Sequence, residues 1–285
     1  EGIIMGLAPY GKPIYKEKIF KNLIDVKKDG SFKLDMTYFN YATGLTMTNN
    51  NFSKLFGQPV RKPEKDLLTQ FHMDMAASIQ VVIEEIILKL TKSIAEEYKL
   101  KNLCLAGGVA LNCVANGKIL VKNHFDNIWI QPAAGDAGGS LGAALGYWFL
   151  ELGNQRSVEP SDSMKGSYLG PKFDNGEKEN SLKKLNANYQ KYNDDEVTKI
   201  IAESIADQKT IGWFQGRMEF GPRALGARSI LADPRSEEMQ KELNIKIKFR
   251  ESFRPFAPSI LSDQVGKWFE TDKKSPYMIL LSNLK

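Results

Sequence analysis

The chain has 285 residues, 42% hydrophobic and 26% charged, enough for one large core or two ordinary ones, and neither a disordered nor a membrane class is indicated. Its 39 basic and 34 acidic side chains leave a net charge of +5 spread along the sequence, which permits nucleic-acid contact without demanding it, so nucleic acid is not an expected partner. Two cysteines and two histidines exclude a disulfide framework and any complete zinc motif, and the expected compartment is cytoplasmic. No apolar run approaches the roughly 20 residues that span a bilayer. The opening EGIIMGLAPYGKP has neither a basic flank nor an initiating Met, so it is not read as a signal peptide and suggests a piece of a longer chain.

In chain order, GLAPYGKP (6–13) predicts a turn, and KKDGS around Gly30 a hairpin turn. From about Glu64 to Leu100, Met75, Ile79, Val82, Ile83, Ile86, Ile87, Leu90 and Ile94 recur at helical spacing and predict one long buried helix or two. NLCLAGGVALNCVANGKIL (102–120) reads as strand, glycine turn and helix, and IWIQPAAG followed by GGSLGAALGYWFLEL repeats that unit. Two such units in succession point to an α/β domain. Residues 154–191 turn polar and mark the expected domain junction, with an extended SYLGP (167–171) inside it. Beyond it, 194–208 predict an amphipathic helix, TIGWF and RSILA predict strands, and a helix is expected from about Ser236 to Ile247, giving an α+β second domain. SPYMILLSNLK (275–285) alternates like a strand.

The segment IGWFQGRMEFGPRALGARSILADPR (211–235) carries the strongest chemical signal. Gly216, Gly221 and Gly226 recur every five residues, which suits sharp turns or close backbone approach. Arg217, Arg223, Arg228 and Arg235 supply planar, permanently charged forks for phosphate or carboxylate oxygens. The alternative reading is surface ion pairs and ordinary turns, and the interleaved Trp213, Phe214, Met218, Phe220 and Leu225 argue against a freely solvated charge run. Gly107 and Gly108 stand at a strand-to-helix junction where free N–H groups suit a phosphate, and Asn112 follows. Asp136, between Gly135 and the pair Gly138 and Gly139, could hold a metal, orient a nucleotide, or act only as a helix cap. Lys246, Lys248, Arg250 and Arg254 around Phe249 and Phe253 read as a basic helix end, as a second wall of an anion pocket, or, since basic and aromatic residues interleave, as a nucleic-acid surface.

Five motifs, GLAPYG, LAGGVALNCVANGKI, PAAGDAGGSLGAALG, GWFQGRMEFGPRALGARSILADPR and KFRESFRPFAPSIL, together resemble the carbamoyltransferases of the NodU/CmcH type. The resemblance implies a fold class of α/β and α+β: part of an actin/sugar-kinase-like (ASKHA) threonylcarbamoyltransferase-type domain over 1–160, then a YrdC-like domain over 161–285. It implies an enzyme that takes ATP and carbamoyl phosphate through carbamoyl adenylate to a small-molecule or sugar hydroxyl acceptor, with a homodimer among the expected partners. By motif, Asp136 matches a metal-holding aspartate (Fe or Mg/Mn), and Gly107, Gly108, Asn112, Gly135, Gly138 and Gly139 match nucleotide-contacting loops. Arg217, Arg223, Arg228 and Ser229 match the adenylate and carbamoyl-phosphate pocket. The chain departs from the pattern in lacking an N-terminal histidine cluster and a C-terminal TSFN-like motif, so the expectation is that this piece holds metal weakly or not at all and does not turn over alone. The alternatives are a component of tRNA threonylcarbamoyladenosine synthesis and a non-catalytic nucleotide-binding module.

Overall fold

The computed structural model describes residues 2–158, 161–271 and 274–285, so the domain boundary expected at residue 160 lies outside the described residues. The architecture is mixed α/β. Its helices are α1 (Gly2–Leu7), α2 (Lys16–Asn22), α3 (Asn50–Phe56), α4 (Gln70–Tyr98), α5 (Cys113–Lys122), α6 (Asp136–Gly146), α7 (Asn175–Lys184), α8 (Asp194–Ala206), α9 (Met239–Glu242) and α10 (Val265–Trp268). Among the described residues the strands are β1 (Ile24–Val26), β2 (Phe32–Leu34), β3 (Asn102–Leu105), β4 (Asn127–Ile130), β5 (Ile211–Phe214) and β6 (Arg228–Leu231), arranged as three two-stranded sheets. Two compact units result, one of Glu1–Leu103 with Val114–Trp129, the other of Cys104–Cys113 with Ile130–Lys285.

In the first unit, the apolar periodicity between Met75 and Ile94 becomes the single 29-residue helix α4. It starts later than the pattern suggests. The backbone N–H of Thr69 donates to His72 Nδ1 at 3.0 Å and so ends the preceding loop with a capping box, while Lys99 adopts a left-handed φ of 51° and closes the other end. Val82 and Ile86 pack with Ile19, Leu23, Ile24 and Phe56 into the core of this unit. The β1/β2 hairpin forms where KKDGS predicts it, pairing Ile24 with Leu34 and Val26 with Phe32 around Gly30 at φ +89°.

The expected turn at GLAPYGKP is only partly a turn, because Gly6 and Leu7 complete α1 and Ala8–Tyr10 forms one 3-10 turn. α4 explains why the motif needs glycine. A Cβ on Gly11 would lie 2.1 Å from the Met73 backbone carbonyl carbon. Immediately beyond, Asp74 Oδ1 accepts the Lys12 N–H at 2.7 Å and Ser78 Oγ accepts that of Tyr15 at 3.0 Å. A further buried carboxylate, Glu84, takes Gln80 Nε2 at 2.8 Å and the ammonium of Lys118, so its charge is paired.

Asn127 N donates to Lys101 O and Gln131 N to Leu105 O, so the bonds advance together along β3 and β4 and the strands run parallel, with α5 as their connection. Within the polar stretch read as a junction there is a helix, α7. The apolar period could not reveal it, since none of its residues is buried; Asp174 and Glu177 hold it with a reciprocal capping box. α8 shows Val197, Ile201 and Ile205 half-buried but Ile200 exposed. The helix expected from Ser236 begins at Met239 and continues as a π-helical turn, Leu243–Ile247. The last segment forms no strand: Tyr277 and Ile279 are buried, and Leu284 makes one antiparallel bridge to Phe269.

Candidate functional site

Every sequence-predicted site residue lies in the second unit. β3 leads into Gly107, whose φ of +95° turns the chain and whose N–H donates to Ala134 O at 2.8 Å. Gly108 opens a single 3-10 turn, Gly108–Leu111, closed by the buried Asn112, and only then does α5 begin. A short turn thus separates the glycine pair from the helix that the strand-to-helix reading attached to it. β4 leads into buried Pro132, Ala133 and Ala134, then Gly135, which caps α6 without a side chain. A Cβ on Gly138 would stand 2.1 Å from Ala133 O, so the first turn of α6 presses on its own approach loop, whereas Gly139 faces open space. Asp136 is exposed at the first position of α6, where a carboxylate suits the helix dipole.

The arginine segment spans the loop between β5 and β6, which pair antiparallel with Ile211 opposite Leu231 and Phe214 opposite Arg228. Gly216, Gly221 and Gly226 all take left-handed φ values of 55°, 134° and 105°, as their regular spacing predicted. Arg228 is held by its own loop: Nη1 donates to Gln215 O and Ala227 O at 2.8 Å, and the guanidinium stacks 3.4 Å from the centre of the Phe214 ring. Ser229 Oγ accepts the N–H of Gly226 at 2.9 Å. Arg217, exposed, donates from Nη1 to Gly170 O at 2.9 Å. The SYLGP segment, which begins at the end of a 3-10 turn (Lys165–Ser167) and is not extended there, is the strap that receives it, with Phe220 N bonded to Ser167 O, Met218 N to Pro171 O, and Tyr168 Oη to Leu225 O.

Arg223 reaches furthest. Its Nη2 donates to Leu111 O at 3.3 Å, and its Nε is buried with no hydrogen-bond partner. Beside it, the Cβ position of Gly221 lies 3.3 Å from Pro132 O and 3.4 Å from the Ala133 Cβ. The arginine loop therefore meets both glycine loops at the carboxyl ends of the parallel strands, where α/β folds place ligands.

Burial pushes the Glu219 carboxyl up, but backbone N–H groups, led by those of Leu225 and Ala227, outweigh it and hold the group below the usual glutamate range. Asp233 is buried against Arg235, whose guanidinium and backbone N–H lower its pKa to about 2. That pairing withdraws Arg235 from the anion-binding set. Among the described residues no group of three or more His, Cys, Asp or Glu comes together to hold a metal. In the basic segment Arg250 Nε donates to Asn244 Oδ1 at 2.6 Å, and Lys246 pairs with Glu242 at 2.7 Å. Two surface concavities of about 310 and 410 Å³, one lined by Arg156, Ser157 and Lys165 and the other by Phe269, Glu270 and Lys285, contain none of the predicted site residues.

The family model described as carbamoyltransferase N-terminus matches residues 1–145, and that described as carbamoyltransferase C-terminus matches residues 202–285. This chain belongs to the carbamoyltransferase family. An uncharacterized protein of Synechocystis is 58% identical over 284 residues, 99% of this chain and 46% of that protein. Nodulation protein NolO of Bradyrhizobium diazoefficiens is 38% identical over 268 residues, 94% of this chain and 46% of its own length. Nodulation protein U of Sinorhizobium fredii is 34% identical over 209 residues, 72% of this chain and 35% of its own length. The chain thus spans about half the length, or less, of these curated relatives. Among the described residues no helix is long and apolar enough to cross a membrane.

The structure brings Gly107, Gly135 and Gly138 onto adjoining loops and sets Arg223 against the first of them, while Arg217 is engaged by Gly170 O and Arg228 within its own segment. The sequence pattern assigned Glu219 no role of its own. Its position between two glycines of a basic loop was the available signal, since a buried acid there needs donors, and the nearest are backbone N–H groups. Tyr168 carried no such signal, because its partner Leu225 O lies 57 positions away.

Proposed function

We propose that this chain is part of an ATP-dependent O-carbamoyltransferase that moves a carbamoyl group from carbamoyl phosphate, through carbamoyl adenylate, to a hydroxyl of a small-molecule or sugar acceptor. In this reading residues 1–160 belong to an ASKHA-type carbamoyl-transfer domain and 161–285 to a YrdC-like adenylate-forming domain. One observation carries it: the bond from Gly107 N to Ala134 O joins two glycine loops that Arg223 meets with a buried, unpartnered Nε. A buried guanidinium N–H without an acceptor costs free energy unless something fills the place, and an anionic oxygen is the acceptor that suits it best.

ATP and carbamoyl phosphate are substrates here. The α6 N-terminus, capped by a glycine that offers no side chain, leaves backbone N–H groups for a phosphate, and Arg223 adds a permanent charge where negative charge accumulates. Carbamoyl adenylate is a mixed anhydride that water destroys, so a water-excluding site is part of the same reading. The test is isotope exchange between pyrophosphate and ATP by the full-length protein. Exchange that requires carbamoyl phosphate supports the proposal; exchange that requires threonine and bicarbonate reassigns the protein to threonylcarbamoyl chemistry, and none at all leaves a nucleotide-binding module.

A further inference from the structure

The carboxylate of Glu219 sits inside the arginine loop with only 8% of the residue exposed. Its Oε1 accepts three backbone N–H groups, from Leu225 at 2.7 Å, Ala227 at 2.8 Å and Arg228 at 3.3 Å. The intervening N–H, that of Gly226, is taken by Ser229 Oγ at 2.9 Å. Four consecutive donors, running from the glycine-bearing turn into the first residue of β6, are therefore taken by two side chains of the same segment, Glu219 and Ser229. Such a run of N–H groups is the arrangement that elsewhere cradles an external anion. Here the protein supplies the anion itself.

We propose that Glu219 is the positioning residue of this loop: its carboxylate fills the backbone nest, fixes the turn from which Arg223 and Arg228 project, and leaves substrate anions to the arginine side chains. The physical reason lies in the loop's composition. Three glycines with positive φ bring no side chain to pack and the segment carries three like-charged arginines, so the turn needs an anchor of its own. Removing the carboxylate leaves three N–H groups without their acceptor, whereas an amide oxygen in its place can still receive them. Arg228 is coupled directly, because its Nη1 bonds the carbonyl of Ala227, whose N–H Glu219 holds.

This inference rests on the loop being the anion site of the proposed reaction, and the experiment separates the two. Pyrophosphate binding is measured by calorimetry on the full-length protein and on Glu219→Gln, Glu219→Ala, Arg223→Ala and the double variant of the last two. We expect Glu219→Gln within about threefold of the parent, Glu219→Ala weakened at least about tenfold, and the double variant no more than about threefold weaker than the weaker single variant, since coupled residues are not additive. Should Glu219→Ala not fold, Glu219→Asp takes its place with the same expectation. Parent-like affinity in either, fully additive losses, or a parent protein that binds no pyrophosphate overturns the inference. Carbamoyl-phosphate-dependent exchange is followed in parallel. Its absence from a parent protein that binds pyrophosphate removes the carbamoyl-transfer reading and leaves the role of Glu219 to be decided by the variants.

Discussion

Arg223 Nη2 and the carbonyl oxygen of Leu111 are hydrogen-bonded at 3.3 Å although 112 positions separate them in sequence. This bond ties the arginine loop to the turn that follows the first glycine pair. It spends one donor of the guanidinium and leaves Nε buried and unpartnered. A lysine has the charge but neither the fork nor a donor at the place of Nε. Replacing Arg223 by Ala or by Lys in the full-length protein should therefore lower kcat/KM for the anionic donor similarly, by roughly tenfold to a hundredfold, the worth of about 1.5–3 kcal/mol for a charge-assisted bond. Steady-state kinetics check this, and full rescue by Lys would show that only charge matters.

Gly138→Ala should damage nucleotide binding more than stability. The added Cβ would meet Ala133 O at 2.1 Å and displace the loop that receives the Gly107 N–H through Ala134. The expected outcome is an ATP Kd raised at least about tenfold, equivalent to about 1.4 kcal/mol, in a protein that still melts cooperatively. Calorimetric titration alongside a thermal melt measures both, and unchanged ATP affinity would detach this loop from the site.

Gly11→Ala tests packing within the first unit. Its Cβ would collide with the backbone of α4 at Met73, 2.1 Å away, and backbone cannot rotate aside as a side chain can. Overpacking of this kind costs about 1–3 kcal/mol. Denaturant unfolding of the parent and variant should show that loss.

Acid should weaken the fold through Asp233. The Arg235 guanidinium and backbone N–H lower its pKa from 3.8 to about 2. Because the folded value is depressed, the contribution is present above 3.8 and is lost as pH falls toward about 2. Asp233→Asn should flatten this part of the pH dependence, and denaturant melts across that window will show whether it does.

Much of this was legible in the chain itself, and the reasons are local. Helix α4, the β1/β2 hairpin around Gly30 and the β5/β6 strands follow from apolar period and turn chemistry, both of which act over a few residues. The three glycines of the arginine loop could be read as turn positions because only glycine adopts a positive φ at little cost, and all three do so. Helix α7 escaped because it rests on a capping box and buries nothing, so period carried no trace of it. Family membership was likewise carried by linear motifs, which need no fold to be recognised.

Partnership was decided only in three dimensions. The sequence presented four equivalent arginines in one segment; the fold pairs Arg235 with Asp233, stacks Arg228 on Phe214, spends Arg217 on Gly170, and leaves a buried, unpartnered donor on Arg223. The same holds for Glu219, which reads as one acid among bases until its carboxylate is seen filled with backbone N–H groups. Residue type sets what a group can donate or accept. Which donors remain free for a ligand depends on what the folded chain has already claimed, and for Arg223 that claim runs across 112 positions that no local pattern connects.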